Sequence, residues 1–291
     1  MKTFLILLFT PFLFSSCDVS MNKDFITGMT TNGAGISVKD VYLEINDKKV
    51  KRTEYQYGEK VLIRCNGIDG FERKNGNAIV GLSVKIINSK TKEIVESNDD
   101  LFKGKVEGFQ EPSLLITTNF NAVFPYQNDE SYTIMVHIWD KEGKGTFDIE
   151  MPFTIIENKS FNVKPDGINY SAIYLWEEKK SRVITDNKVS LSEGVKLFFD
   201  GIDGLEVVDG LAYPGLSIEL IDQKGIEIIK DSNLLLKNSE DGIDPALLKE
   251  QLPVSLTFGQ SKVSNPAKLK IVYFDMNSDR KLVIETELTL E

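Results

Sequence analysis

The sequence predicts an all-β protein made of two antiparallel β-sandwiches in tandem. Three observations predict it. Short runs of alternating apolar and polar residues, rich in Val, Ile, Tyr and Phe, recur along the chain. Turn residues interrupt them roughly every ten positions, the rhythm of a sandwich. A segment of domain size, about 120 residues, occurs twice. Composition agrees: 41% of the 291 residues are hydrophobic, enough to fill packed cores. The formal charge of −10 argues against a nucleic-acid partner, which needs a basic face to release counterions. One histidine excludes multi-His metal sites and most His-based catalysis.

The chain opens with MKTFLILLFTPFLFSSC. Lys2 gives a positive start, and 4–14 is apolar apart from Thr10 and Pro11. That stretch is shorter than the roughly 20 residues a membrane-spanning helix needs, and has the length of a signal-peptide core. Two small residues, Ser15 and Ser16, precede Cys17. This ending resembles the lipobox of bacterial lipoproteins. The resemblance implies removal of 1–16 as a signal peptide and a diacylglycerol on the Cys17 thiol. It also implies residence in the cell envelope, at the outer membrane or cell surface ahead of the inner membrane. Residues 17–35, with several Gly, Thr and Asn, read as a flexible tether. With Cys17 lipidated, Cys65 is the remaining thiol and no intramolecular disulfide can form.

The repeat starts next. Residues 59–71 (EKVLIRCNGIDGF) match 193–205 (EGVKLFFDGIDGL). The register continues through Gly76, Ala78, Gly81, Leu82 and Ser83, which match Gly210, Ala212, Gly215, Leu216 and Ser217. With small shifts, Tyr42-Leu43 corresponds to Tyr174-Leu175 and Asp140 to Asp275. The expected units are 36–157 and 167–291, joined by a polar linker over 158–166. Two long copies are a duplicated domain, because solenoids use periods of about 20–50 residues and three or more copies.

Within unit one, strands are expected over 61–65, 78–87, 132–139 and 146–156. Tyr132, Ile134, Val136 and Ile138 alternate with Thr133, Met135, His137 and Trp139. Asp140-Lys141-Glu142-Gly143 then turns the chain, and Phe147, Ile149, Met151 and Phe153 alternate on the return. Unit two repeats the pattern with Leu269, Ile271 and Tyr273, a turn over 275–279, then Leu282, Ile284 and Thr286. A Tyr opening a strand, alternating apolar residues, Asp-x-x-Gly and a return strand together resemble the last hairpin of bacterial immunoglobulin-like domains. The resemblance implies that architecture and a tyrosine corner at Tyr132, whose place Ala267 takes in unit two. Asp244-Pro245 predicts the start of a short helix with Leu247, Leu248 and Leu252 on one face.

Candidate sites are few. Gly-Ile-Asp-Gly occurs at 67–70 and 201–204, so Asp69 with Glu72, and Asp203 with Glu206, are candidate ligand or cation loops. Two carboxylates per loop fall short of the six or more oxygens Ca²⁺ takes, so a turn after a strand is the better reading of Gly and Asp. Asp275-Met-Asn277-Ser-Asp279 starts like a calcium loop, but Arg280 stands where Gly is needed. Cys65 and His137 align with Phe199 and Val272 in the sister unit, which points to packed strand residues. Trp176, followed by Glu-Glu-Lys-Lys, is a candidate sugar platform, while Trp139 aligns with Phe274 and is expected in the core or at a sheet end.

No Gly-x-Ser-x-Gly elbow, P-loop or dinucleotide fingerprint occurs. The expected function is therefore non-enzymatic: a lipid-anchored binding, adhesion or scaffold module with no cofactor, bound to the membrane and to an envelope protein or polysaccharide. The alternatives are a carbohydrate-binding module or a carboxylate-dependent hydrolase of extracellular polymers.

Overall fold

A computed structural model of the chain describes residues 19–127, 130–259 and 262–291. Cys17 and residues 1–16, the expected signal peptide, lie outside them. The fold is an all-β sandwich, with strands in antiparallel sheets and two short helices among the described residues.

In unit one, alternation decides the faces. On strand Ser131–Asp140, Tyr132, Ile134, Val136 and Ile138 are buried, and Thr133, Met135, His137 and Trp139 face outward. This strand sits between Thr146–Ile156 and Val80–Asn88 in a seven-stranded sheet. Opposite lies a four-stranded sheet ordered Leu114–Asn121, Lys60–Asp69, Ser37–Ile45, Lys48–Val50. Ile63, Cys65 and Ile68 from the second sheet meet Ile134 and Ile138 from the first in one core. Each such fully buried aliphatic side chain contributes about 1.5–3 kcal/mol. The Tyr132 hydroxyl donates to the Pro125 carbonyl at 2.6 Å, which satisfies a phenol held 1% exposed.

Unit two repeats the central plan, with six strands in the larger sheet in place of seven. Pro214–Ile221, Ala267–Asp275 and Lys281–Leu290 take the places of Val80–Asn88, Ser131–Asp140 and Thr146–Ile156. Ala172–Glu177, Val195–Asp200 and Gln251–Leu256 take those of Ser37–Ile45, Lys60–Asp69 and Leu114–Asn121. Even the short parallel pairing recurs, Glu54–Gln56 on Thr146–Ile156 and Lys188–Val189 on Lys281–Leu290. A second core, including Leu197, Phe199, Ile271 and Ile284, fills the space between these sheets.

Three expectations change. The composition of 17–35 suggested a tether, yet Val19–Lys23 and Thr30–Ala34 form a hairpin whose second strand pairs with Thr146–Ile156. The sheet edge supplies the hydrogen-bond partners that local composition cannot reveal. The linker 158–166 shortens, because Asn162–Asp166 pairs with Lys281–Leu290 and Phe161 enters the second core. The helix starts as expected, with Asp244 Oδ1 accepting from Ala246 N–H at 2.8 Å, but Pro245–Leu248 is one turn long. Leu248 alone of the three leucines is buried, since Leu252 already belongs to strand Gln251–Leu256. A further short helix, Leu236–Asp241, carried no apolar stripe that would have announced it.

The outer face of the second unit's four-stranded sheet is seated on unit one. Ala172, Tyr174 and Val183 form a third apolar cluster with Tyr57, Tyr126, Trp176 and Phe198. Tyr57 lies 5.4 Å from Tyr174 between ring centroids and 5.7 Å from Tyr126. Gly58, at φ 92°, leaves room for Val183, whose Cβ would sit 2.3 Å from a Cβ at that position. Asn158 Nδ2 donates to the Ile184 carbonyl at 3.0 Å, and the Tyr170 hydroxyl donates to Glu157. Asp200 stands beside these tyrosines with one carboxylate oxygen, Oδ1, buried and unpartnered, and burial raises its pKa.

Candidate functional site

The two Gly-Ile-Asp-Gly segments occupy equivalent corners. Ile68 and Ile202 are buried and pin each loop to its core. Gly70 (φ 105°) and Gly204 (φ 96°) pass close to the backbone of the unit's first strand: a Cβ would come within 2.1 Å of the Gly35 carbonyl oxygen and 2.5 Å of that of Gly167. Only glycine tolerates both the conformation and the approach. Asp69 pairs with Ser37 through the sheet, and Asp203 exchanges two backbone hydrogen bonds with Asn169 at 2.8 and 3.0 Å. The side chains of Asp69, Glu72, Asp203 and Glu206 are exposed, and Asp203 faces Lys249 at 3.3 Å. Among the described residues no three His, Cys, Asp or Glu groups are placed to hold a metal ion.

What ties each loop down is an aspartate that sequence reading treated as part of a turn. Asp140, 5% exposed, accepts from Glu72 N–H at 2.6 Å through Oδ2 and from Glu142 N–H at 3.0 Å through Oδ1. Asp275, 4% exposed, accepts from Glu206 N–H at 2.8 Å, Asn277 N–H at 3.1 Å and Ser278 Oγ–H at 2.6 Å. Each carboxylate clips the loop to the last hairpin, using its charge to strengthen bonds to backbone donors. The resemblance of 275–279 to a calcium loop thus comes from a hairpin whose Asp is turned inward. The signal was present in the sequence as an Asp at the same point of both copies.

Cys65 and His137 are on different sheets, one turned into the core and the other outward from it. Cys65 is 1% exposed in the core, where burial pushes its thiol up to about 12. His137 projects outward, and its Nδ1 lies 2.6 Å from Asp148 Oδ1. An ionised carboxylate can only accept, so Nδ1–H is the donor of this pair.

The aromatics separate into two groups. Trp176 is half-buried beside the inter-unit cluster, next to Lys196 and Val183 across the sheet. Trp139 lies on the outer face of the seven-stranded sheet, neither in the core nor fully exposed. Its cross-strand neighbour is Gly81. A Cβ there would fall 1.9, 2.2 and 2.4 Å from Cε2, Cζ2 and Cδ2, so the indole lies flat across the glycine with its face on the sheet. Phe274 lies across Gly215 in the same way. The pair of Gly and opposing aromatic is therefore retained for packing in both units. The His137 ring stacks on the indole in an offset arrangement, with planes 18° apart and centroids 5.3 Å apart.

Around this stack is a shallow depression of about 530 Å³, lined by Ser83, Lys85, Asn98, Asp99, His137 and Trp139 with the Gly143–Thr146 turn. Here the two units diverge. Unit two replaces His137 by Val272 and the Asp148 that faces it by Val283. The two valines remove the contact that His137 and Asp148 make in unit one, while Ser217, Glu219, Lys270 and Glu285 keep the same face of unit two polar around them.

No known protein family's profile matches the chain, and no curated protein matches it. Two solved structures are similar in part. That of pT26-6p is 8% identical, aligns with 90% of this chain and 63% of its own, and has a TM-score of 0.23. The chain thus spans 63% of the length of that protein. The crystal structure of the three FKBP domains of wheat FKBP73 is 8% identical, aligns with 79% of this chain and 95% of its own, and has a TM-score of 0.14. Neither superposes well enough to bear on fold or function.

Proposed function

We propose that this chain is an exported protein, lipidated at Cys17 and held in the cell envelope, that acts as a non-enzymatic binding, adhesion or scaffold module. The observation that carries the binding reading is the divergence of one face between two otherwise matching units. On unit one His137 and Asp148 stand where unit two has Val272 and Val283, beside the Trp139 depression, while both cores and both Asp clips are kept. Packing explains what the copies share; a task outside the fold explains what one copy changed. The lipobox-like MKTFLILLFTPFLFSSC supports the anchor. Among the described residues no helix is long and apolar enough to cross a membrane.

Mass spectrometry of the mature N-terminus tests the anchor, with a diacylated Cys17 expected; an unmodified Cys17 or cleavage elsewhere refutes it. Capture from envelope extracts on the immobilised chain from residue 18 tests binding. A specific protein or polysaccharide is expected, and an empty column refutes the module.

A further inference from the structure

We infer that the Trp139–His137 face of unit one is a carbohydrate-binding surface that takes a neutral pyranose ring of a glycan chain. The inference rests on the binding-module reading and names the ligand class and the residues. Four features of the surface agree on that class. The indole is held flat by Gly81 and presents a ring face rather than an edge, which is what the C–H face of a pyranose stacks on. The His137 ring runs nearly parallel to the indole, with planes 18° apart and centroids 5.3 Å apart, and extends the aromatic surface beside Trp139. Hydroxyl-binding groups surround the floor: the Asn98 amide, the Asp99 carboxylate, Ser83 and the Lys85 ammonium, which together offer donors and acceptors to neighbouring sugar hydroxyls. Lys85 and Lys144 share the depression and its margin with Asp99, Asp140, Asp148 and Glu150, so no basic field selects a phosphate or a polyanion.

The depression is shallow and open along the sheet. It continues beside His137 over Asn32, Met135, Asp148 and Glu150, so neighbouring units of a chain can run past the stacked ring. Such a site suits one or a few rings of a long polymer rather than an engulfed monosaccharide. The sister unit shows what the surface lacks when it has no such role: Phe274 lies on Gly215 beside Val272 and Val283.

The test uses the chain from residue 18 and three probes: hexasaccharides of glucose, of mannose and of N-acetylglucosamine. Binding is followed by titration calorimetry and by intrinsic fluorescence. At least one hexasaccharide is expected to bind and to shift the emission of Trp139. Trp139→Ala is expected to weaken binding by about tenfold or more, the equivalent of one ring-stacking contact of about 1.4 kcal/mol. Trp139→Phe guards against misfolding, because Phe274 already fills the same position in unit two. It should retain most of the affinity and lose the fluorescence response, since Trp176 is then the only tryptophan. Failure of all three sugars to bind at millimolar concentration overturns the inference, as does binding that Trp139→Ala leaves intact or a response that survives Trp139→Phe. The envelope-capture experiment separates the two levels. A specific protein captured while no sugar binds removes the carbohydrate assignment and keeps the binding module, whereas an empty column with no sugar binding removes both.

Discussion

Substituting Asp140 by Ala should selectively destabilise unit one. The carboxylate is buried, and it accepts from Glu72 N–H at 2.6 Å and Glu142 N–H at 3.0 Å. A hydrogen bond to a charged group is worth about 1.5–3 kcal/mol net, and a stranded buried donor costs a further share of its desolvation. Glu142 sits on an exposed turn, where water replaces the lost acceptor, so that bond counts at the low end. The sum for Asp140→Ala is about 3 kcal/mol. Asp140→Asn keeps one carbonyl acceptor and should cost roughly half as much. Urea denaturation followed by tryptophan fluorescence suits the question, because Trp139 adjoins the substituted residue and Trp176 belongs to unit two. With an m-value of about 1.5–2 kcal/mol/M, the midpoint of the unit-one transition should fall by about 1.5–2 M, with m unchanged. A loss below about 0.5 kcal/mol, or equal losses for Ala and Asn, would show that the aspartate is not the clip described. If the Gly-Ile-Asp-Gly loops were cation sites instead, calcium would raise the midpoint and a chelator would lower it; neither shift is expected.

Three other outcomes are expected. Gly81→Ala should force the Trp139 indole off the sheet, cost about 1–3 kcal/mol and red-shift its emission, while Gly215→Ala should cost a similar amount through Phe274 without the spectral change; an unshifted emission in Gly81→Ala would mean the ring does not lie on the glycine. Asp200 has a folded-state pKa above its reference of 3.8 because burial disfavours its charge, so its contribution to stability is full below 3.8 and is lost as pH rises through the raised value. Asp200→Asn should accordingly melt higher than the parent at pH 7, with the gap closing as the pH falls below about 4; a gap that does not narrow on acidification would discard the assignment. Cys65, with its thiol pushed up to about 12 by burial, should resist iodoacetamide at pH 8 until the chain unfolds, and rapid labelling of the folded chain would contradict its place in the core.

Much of the fold was legible because its cause is local. Strand Thr146–Ile156 could be placed from Phe147, Ile149, Met151 and Phe153 alone, since one buried face writes itself as alternation. Asp244-Pro245 marked a helix start because capping involves neighbours in sequence. The helix end was not legible, because strand Gln251–Leu256 claims Leu252 through pairing with Val195–Asp200, a contact far away in the chain. The hairpin over Val19–Ala34 was missed for the same reason: its Gly, Thr and Asn are held by the partner strand.

By itself the sequence determined the β class and the duplication, since periodicity and internal identity are properties of the chain read in order. Only the tertiary structure decided what those residues face. It turned Asp140 and Asp275 inward onto backbone donors, placed Cys65 in the core and His137 on an outer face, drew Trp176 toward the joint between the units and laid Trp139 flat on an outer sheet face. Strand alternation fixes which residues share a face, but whether a face meets a core, a second unit or solvent depends on strands brought together from distant parts of the chain.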